Sequence, residues 1–169
     1  MNDLLIPVEA SDSNQFLTFS VFGKAMAIGI ADVREIIESV NITRVPMSNP
    51  CVRGVINLRG NVVPVVDLGC RLTGRSIEVN RRSCIVLVEV QSEGESQVMG
   101  MLVHEVREIL EIEPENTQQT PDFGTEIRTE FIECMGRYID DFIFVLDLQQ
   151  LISIQDLSEV PSTGMEIQT

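Results

Sequence analysis

The sequence predicts an all-β chain with a few short helices, built as two small β-barrels packed on each other. Three observations carry that expectation. Short apolar stretches alternate with period two and are separated by Gly-containing turns, which suits small barrels better than an α/β sheet. The word Val33-Arg34-Glu35-Ile36 recurs as Val106-Arg107-Glu108-Ile109 at an offset of 73 residues. Val66-Asp67-Leu68 is echoed by Leu146-Asp147-Leu148 at an offset of 80, and both words sit in the same order of strand, turn, strand, helical turn and late β-run. That shared order marks an internal duplication.

Each element follows from its residues. Phe16 to Phe22 sets Leu17, Phe19 and Val21 on one face and Thr18 and Ser20 on the other, as in a half-buried strand. Gly23-Lys24 marks a turn and Ala25 to Ile30 returns as a second strand. Over Asp32 to Ile37, Val33, Ile36 and Ile37 fall at i, i+3 and i+4, which predicts one short helical turn facing a core. Val62 to Val66 is apolar and mostly β-branched, and Pro64 assigns it to an edge or a bulge. In the second half, Cys84 to Val90 and Val98 to Val103 read as strands around the acidic turn Ser92 to Ser96. Asp67 and Asp147 each follow a β-run and precede Leu, the place of a helix N-cap.

Composition narrows the function classes. The 169 residues carry a formal net charge of −14, with 44 % hydrophobic residues. That apolar content excludes a disordered chain. The acidity argues against nucleic acid or an anionic membrane surface as the main partner. The charge is uneven: residues 1–80 hold 8 acids and 7 bases, residues 81–169 hold 18 acids and 5 bases. Arg44, Arg53, Arg59, Arg71 and Arg75 form one local basic stretch against the single acid Asp67. No apolar run approaches the ~18 residues of a membrane span, so no membrane insertion is expected. With Asp3 and no basic flank, Leu4-Leu5-Ile6 is not expected to be a signal peptide. Cys51, Cys70, Cys84 and Cys134 are isolated, and the chain has one His, so no metal site is expected and the cysteines read as reduced structural thiols of a cytoplasmic protein.

The order of motifs resembles the CheW family of bacterial chemotaxis coupling proteins. The resemblance runs from Gln15 to about Ile154. It rests on Phe16-Leu17-Thr18-Phe19, Val33-Arg34-Glu35-Ile36, Thr43-Arg44-Val45-Pro46, Gly54-Val55-Ile56-Asn57-Leu58-Arg59-Gly60 and Val63-Pro64-Val65-Val66-Asp67-Leu68. The second half adds Gly100-Met101-Leu102-Val103, Val106, the loop Pro121-Asp122-Phe123 and Leu146-Asp147-Leu148. The resemblance implies two intertwined five-stranded, SH3-like barrels. It also implies a non-enzymatic adaptor that ties a chemoreceptor's cytoplasmic tip to the regulatory domain of a CheA-type histidine kinase, in the cytoplasm at membrane-associated arrays. The expected layout is a flexible tail over 1–14, a CheW-like domain over 15–155 and a flexible tail over 156–169. The domain divides into a first barrel at about 15–80 and a second at about 81–155, with exchange of their ends left open. His104 departs from the pattern, since many relatives carry Asp there.

The resemblance assigns Val33, Glu35, Asn57, Leu58 and Arg59 to receptor binding, and Asp122 and Phe123 to kinase binding. The residues alone read more plainly. Arg59 is a turn arginine, exposed or paired with a carboxylate. Val33 is core and Glu35 is solvated. Phe123 is a plug folded back on the core. If Val33 and Leu58 expose apolar surface they form an anchor, with Glu35 and Arg59 as polar register, and Asn57 holds the turn through its side-chain amide. No catalytic residue is assigned: no nucleophile motif accompanies His104, and no glycine-rich phosphate cradle calls for a cofactor. The rival reading is a small-molecule-binding or enzymatic β-barrel. A third keeps the adaptor role in a non-flagellar chemosensory pathway.

Overall fold

The computed structural model describes residues 14–38, 41–46, 49–120 and 127–157. The chain opens with β1 (Gln15–Val21), β2 (Lys24–Gly29) and β3 (Val33–Ile37), the last preceded by a 3-10 turn at Ile30–Asp32. It continues with β4 (Val52–Leu58), β5 (Asn61–Asp67) and α1 (Leu68–Thr73). Then come β6 (Cys84–Ser92), β7 (Glu95–Val103), β8 (Glu105–Glu111) and the two-residue β9 (Thr117–Gln118). The described chain closes with β10 (Ile132–Tyr138), β11 (Asp141–Leu146), α2 (Leu148–Leu151) and α3 (Ile154–Leu157).

Two sheets form. One runs β8-β1-β2-β11-β10-β9 and the other β3-β6-β7-β5-β4. This order makes the duplication visible in space. The first repeat is β1 to β5 with α1; the second is β6, β7, β8, β10 and β11 with α2. The opening hairpin of each repeat lies in the sheet built by the later strands of the other. A parallel pair makes each joint: β2 against β11, with Met26 opposite Phe144, and β5 against β7, with Val66 opposite Met101. The sheets therefore cross the division near residue 80, and one apolar core runs through both, from Leu17 and Phe19 to Met101, Leu146 and Leu151. The helices repeat as well. Asp67 accepts from the Cys70 N–H at 3.0 Å and Asp147 from the Gln150 N–H at 3.3 Å, the capping expected of both.

Four expectations need correction. First, Val33 to Ile37 is a strand, not a helical turn. Val33, Glu35 and Ile37 are half-buried and alternate with exposed Arg34 and Ile36, and the segment pairs with β6. Second, β5 lies inside its sheet despite Pro64. The β7 pairing begins only at Val65, so the missing proline N–H faces a side with no ladder to break. Third, β1 is covered on both faces. Thr18 and Ser20 are as buried as Leu17 and Phe19. Thr18 sits at the register shift against β8, where its hydroxyl donates to the Glu108 carbonyl at 2.6 Å and accepts from the Glu108 N–H at 3.1 Å. Fourth, Cys51 and Cys70 form a disulfide, with Cα atoms 5.3 Å apart; Cys84 and Cys134 are free. Cys51 leads into β4 and Cys70 lies in α1, and the Asp67 N–H bonds the Cys51 carbonyl at 2.7 Å, which brings the thiols together.

Among the last described residues, Leu157 of α3 is buried. The segments 1–13 and 158–169, which hold most of the expected tails, lie outside the described residues.

Candidate functional site

The β4–β5 hairpin turns in two residues, Arg59 and Gly60, between the paired Leu58 and Asn61. Both turn residues have positive φ, +51° and +88°. That is the pattern of a type I′ turn, whose twist matches the flanking strands. Gly60 adopts it freely; Arg59 does not. Asn57 supplies the local support, its side-chain carbonyl accepting the Gly60 N–H at 2.9 Å.

This turn aims Arg59 across the open side of the five-stranded sheet. Its Nη2 donates to both carboxylate oxygens of Glu35, at 2.9 and 3.0 Å. Glu35 stands in β3, at the opposite edge of that sheet from β4, so the ion pair draws two outer strands together. Closure is reinforced by Thr43, which exchanges two backbone bonds with Val55 at 2.8 Å each. Gly54 permits that approach: a Cβ there would lie 2.1 Å from the Thr43 carbonyl oxygen. The Arg59 and Glu35 side chains remain 68 % and 39 % exposed, so the pair is a solvated rim feature rather than a buried strut.

Val33 and Leu58 are half-buried and pack against the main core, leaving part of each side chain at the surface. The structure thus brings Glu35, Asn57, Leu58 and Arg59 to one region at the sheet's closing seam, with Val33 on the same strand as Glu35. Asp122 and Phe123 lie outside the described residues. Two apolar neighbours went unassigned in the sequence. Val62, opposite Asn57 across the hairpin, is 71 % exposed, and Ile36, beside Glu35, is 41 % exposed. A valine inside an apolar run gives no signal that it points outward; only the register of β5 shows it.

The residues an enzyme reading would use are occupied structurally. Asp67 is fully buried, and beyond its cap it accepts from Arg53 Nη1 at 3.0 Å and the Ile77 N–H at 2.9 Å. His104 Nδ1 accepts the Phe22 N–H at 2.9 Å. Burial pushes the Cys84 and Cys134 thiols above their usual range, which disfavours the nucleophilic thiolate. Among the described residues no group of three or more His, Cys, Asp or Glu is placed to hold a metal ion.

Comparison with known proteins agrees with this architecture. The profile of the CheW-like domain matches residues 15–156. The chain belongs to the CheW family. It is 24 % identical over 150 residues to the chemotaxis protein CheW of Klebsiella aerogenes, covering 89 % of this chain and 88 % of the relative. It is 30 % identical over 139 residues to a probable chemotaxis protein CheW of Rhizobium etli, covering 82 % and 87 %. The crystal structure of the scaffolding protein TtCheW from Thermoanaerobacter tengcongensis superposes with a TM-score of 0.72 at 30 % identity, covering 82 % of this chain and 86 % of that one. CheW-family proteins are non-enzymatic chemotaxis adaptors with the two-barrel SH3-like fold, and the enzyme and small-molecule readings are not favoured. Among the described residues, no helix is long and apolar enough to cross a membrane.

Proposed function

We propose that this CheW-family chain couples the cytoplasmic tip of a chemoreceptor to the regulatory domain of a CheA-type histidine kinase, in the cytoplasm at membrane-associated receptor arrays. The observation that carries the receptor assignment is the Arg59–Glu35 pair at the seam between β3 and the β4–β5 turn. A helical tip needs an apolar strip with charges that fix its register. Val33 and Leu58 offer the strip, Arg59 and Glu35 the charges, and Asn57 keeps Arg59 aimed outward. The kinase contact falls to Asp122 and Phe123.

A pull-down with a receptor-tip fragment tests the receptor side. Arg59→Glu reverses a solvated rim charge, so it should weaken capture at least tenfold while the melting curve stays close to wild type. Rim charges govern partner choice more than folding. Equal capture by variant and wild type would remove Arg59 from the site.

A further inference from the structure

We propose that His104 is an acid-sensitive latch between the two sheets, its neutral ring holding the β1–β2 turn in place and its protonation releasing it. The proposal goes beyond the coupling role and stands whether or not that role is correct.

His104 is the single histidine of the chain and occupies the one-residue joint between β7 of one sheet and β8 of the other. Its backbone N–H donates to the Ser20 carbonyl of β1 at 3.1 Å. Its ring Nδ1 accepts the backbone N–H of Phe22 at 2.9 Å. An acceptor at Nδ1 fixes the tautomer, with the proton of the neutral ring on Nε2. A second proton on Nδ1 would set an N–H against an N–H. The bond is therefore present with the neutral ring and lost with the charged one.

The anchored residue matters to both sheets. Phe22 has φ of +51°, a left-handed conformation that an L residue holds only when its surroundings impose it. Its ring leaves the β1–β2 turn and packs on α1, so closely that a Cβ on Gly69 would lie 2.8 Å from Phe22 Cε2. The same ring stands edge-on to His104, centroids 4.8 Å apart, and carries the Arg75 guanidinium 4.2 Å from its centre. Phe22 thus wedges the hairpin of one sheet against the helix of the other.

The elements packed around His104 carry the following charged or titratable groups. Arg75, in the segment after α1, lies on the Phe22 ring, and Lys24 begins β2 beyond the turn. On β8 the adjacent Glu105 is drawn toward Arg82, 3.8 Å away. Cys84 of β6 pairs with Val103, and burial keeps its thiol neutral. His104 is itself half-buried, so the ring is reachable by solvent protons.

Amide hydrogen exchange followed by NMR on the full chain tests the latch. In wild type, protection of the Phe22 amide, corrected for intrinsic exchange, should fall roughly tenfold between about pH 7.5 and 5.5. In His104→Asn the side-chain oxygen takes the place of Nδ1 and does not titrate, so protection should stay level. Flat protection in wild type, or an equal fall in the variant, would overturn the proposal. If the Asn variant fails to fold, the ring nitrogens of wild type decide. A neutral ring protonated on Nε2 and shifting with the Phe22 amide on acidification supports the latch, and a neutral ring protonated on Nδ1 refutes it.

Discussion

Arg59 holds a left-handed backbone that costs a non-glycine L residue roughly 1–2 kcal/mol, in a turn type whose preferred first residue is asparagine. Its exposed ion pair with Glu35 returns at most about 1 kcal/mol. Stability alone therefore does not account for an arginine at this position. Arg59→Asn separates the two roles: the melting temperature should stay level or rise, while receptor-fragment affinity falls. An unchanged affinity would leave the strained arginine without a binding role. The thiols give a second residue-scale test. Burial raises both Cys84 and Cys134, so alkylation of the oxidised protein at pH 8 should be slower than that of an unfolded control and should modify only these two. Rapid labelling of four cysteines without reductant would contradict both the disulfide and the burial. At this scale the sequence was informative where chemistry is local, as in the caps of Asp67 and Asp147 and the Asn57-braced turn. It allowed a carboxylate partner for Arg59 without fixing Glu35 as that partner, because 24 positions separate residues that only sheet closure brings together.

The Cys51–Cys70 bond ties the entry of β4 to α1 with a sequence separation of 19. Closing a loop of that length in the unfolded chain stabilises the native state by about 3 kcal/mol in the chain-entropy account. Reductant should therefore lower the melting temperature of wild type, and Cys70→Ser should melt at the lower temperature with or without reductant. A melt indifferent to reductant in wild type would show that the bond contributes no stability. The bond was not legible from spacing, because no short motif links the two cysteines; β5 and the cap of α1 bring them together. The misreadings of β3 and β5 have a common physical cause. In five residues an i, i+3, i+4 pattern and a half-buried strand share most positions, and ladder pairing with β6 decides the outcome. Pro64 points to an edge or a bulge on a rule about hydrogen bonds, and that rule is satisfied locally by a partner strand that starts one residue later.

At the scale of the whole molecule, the repeated words foretold a duplication, and the exchange of hairpins between its halves is a matter of pairing that no local pattern encodes. The exchange makes the halves interdependent. Arg71 of α1, buried, reaches across to the second repeat, donating to the Leu151 carbonyl at 2.7 Å and the Gln150 carbonyl at 3.1 Å and stacking 4.5 Å from the Phe131 ring centre. Fragments 1–80 and 81–169, made separately, should each lack a cooperative thermal transition by circular dichroism, whereas the whole chain should show one. A cooperative melt from either fragment would mean that a barrel stands without its borrowed hairpin. The same topology bears on descent. Each repeat carries strands that complete its counterpart, as two subunits do in an arm-swapped homodimer. The chain has the form of such a dimer made covalent through residues 74–83. Fusion releases two once-equal surfaces from the obligation to change together. One half now carries nearly balanced charge and the other almost all of the excess acidity, a divergence that a symmetric pair of identical subunits has no means to express.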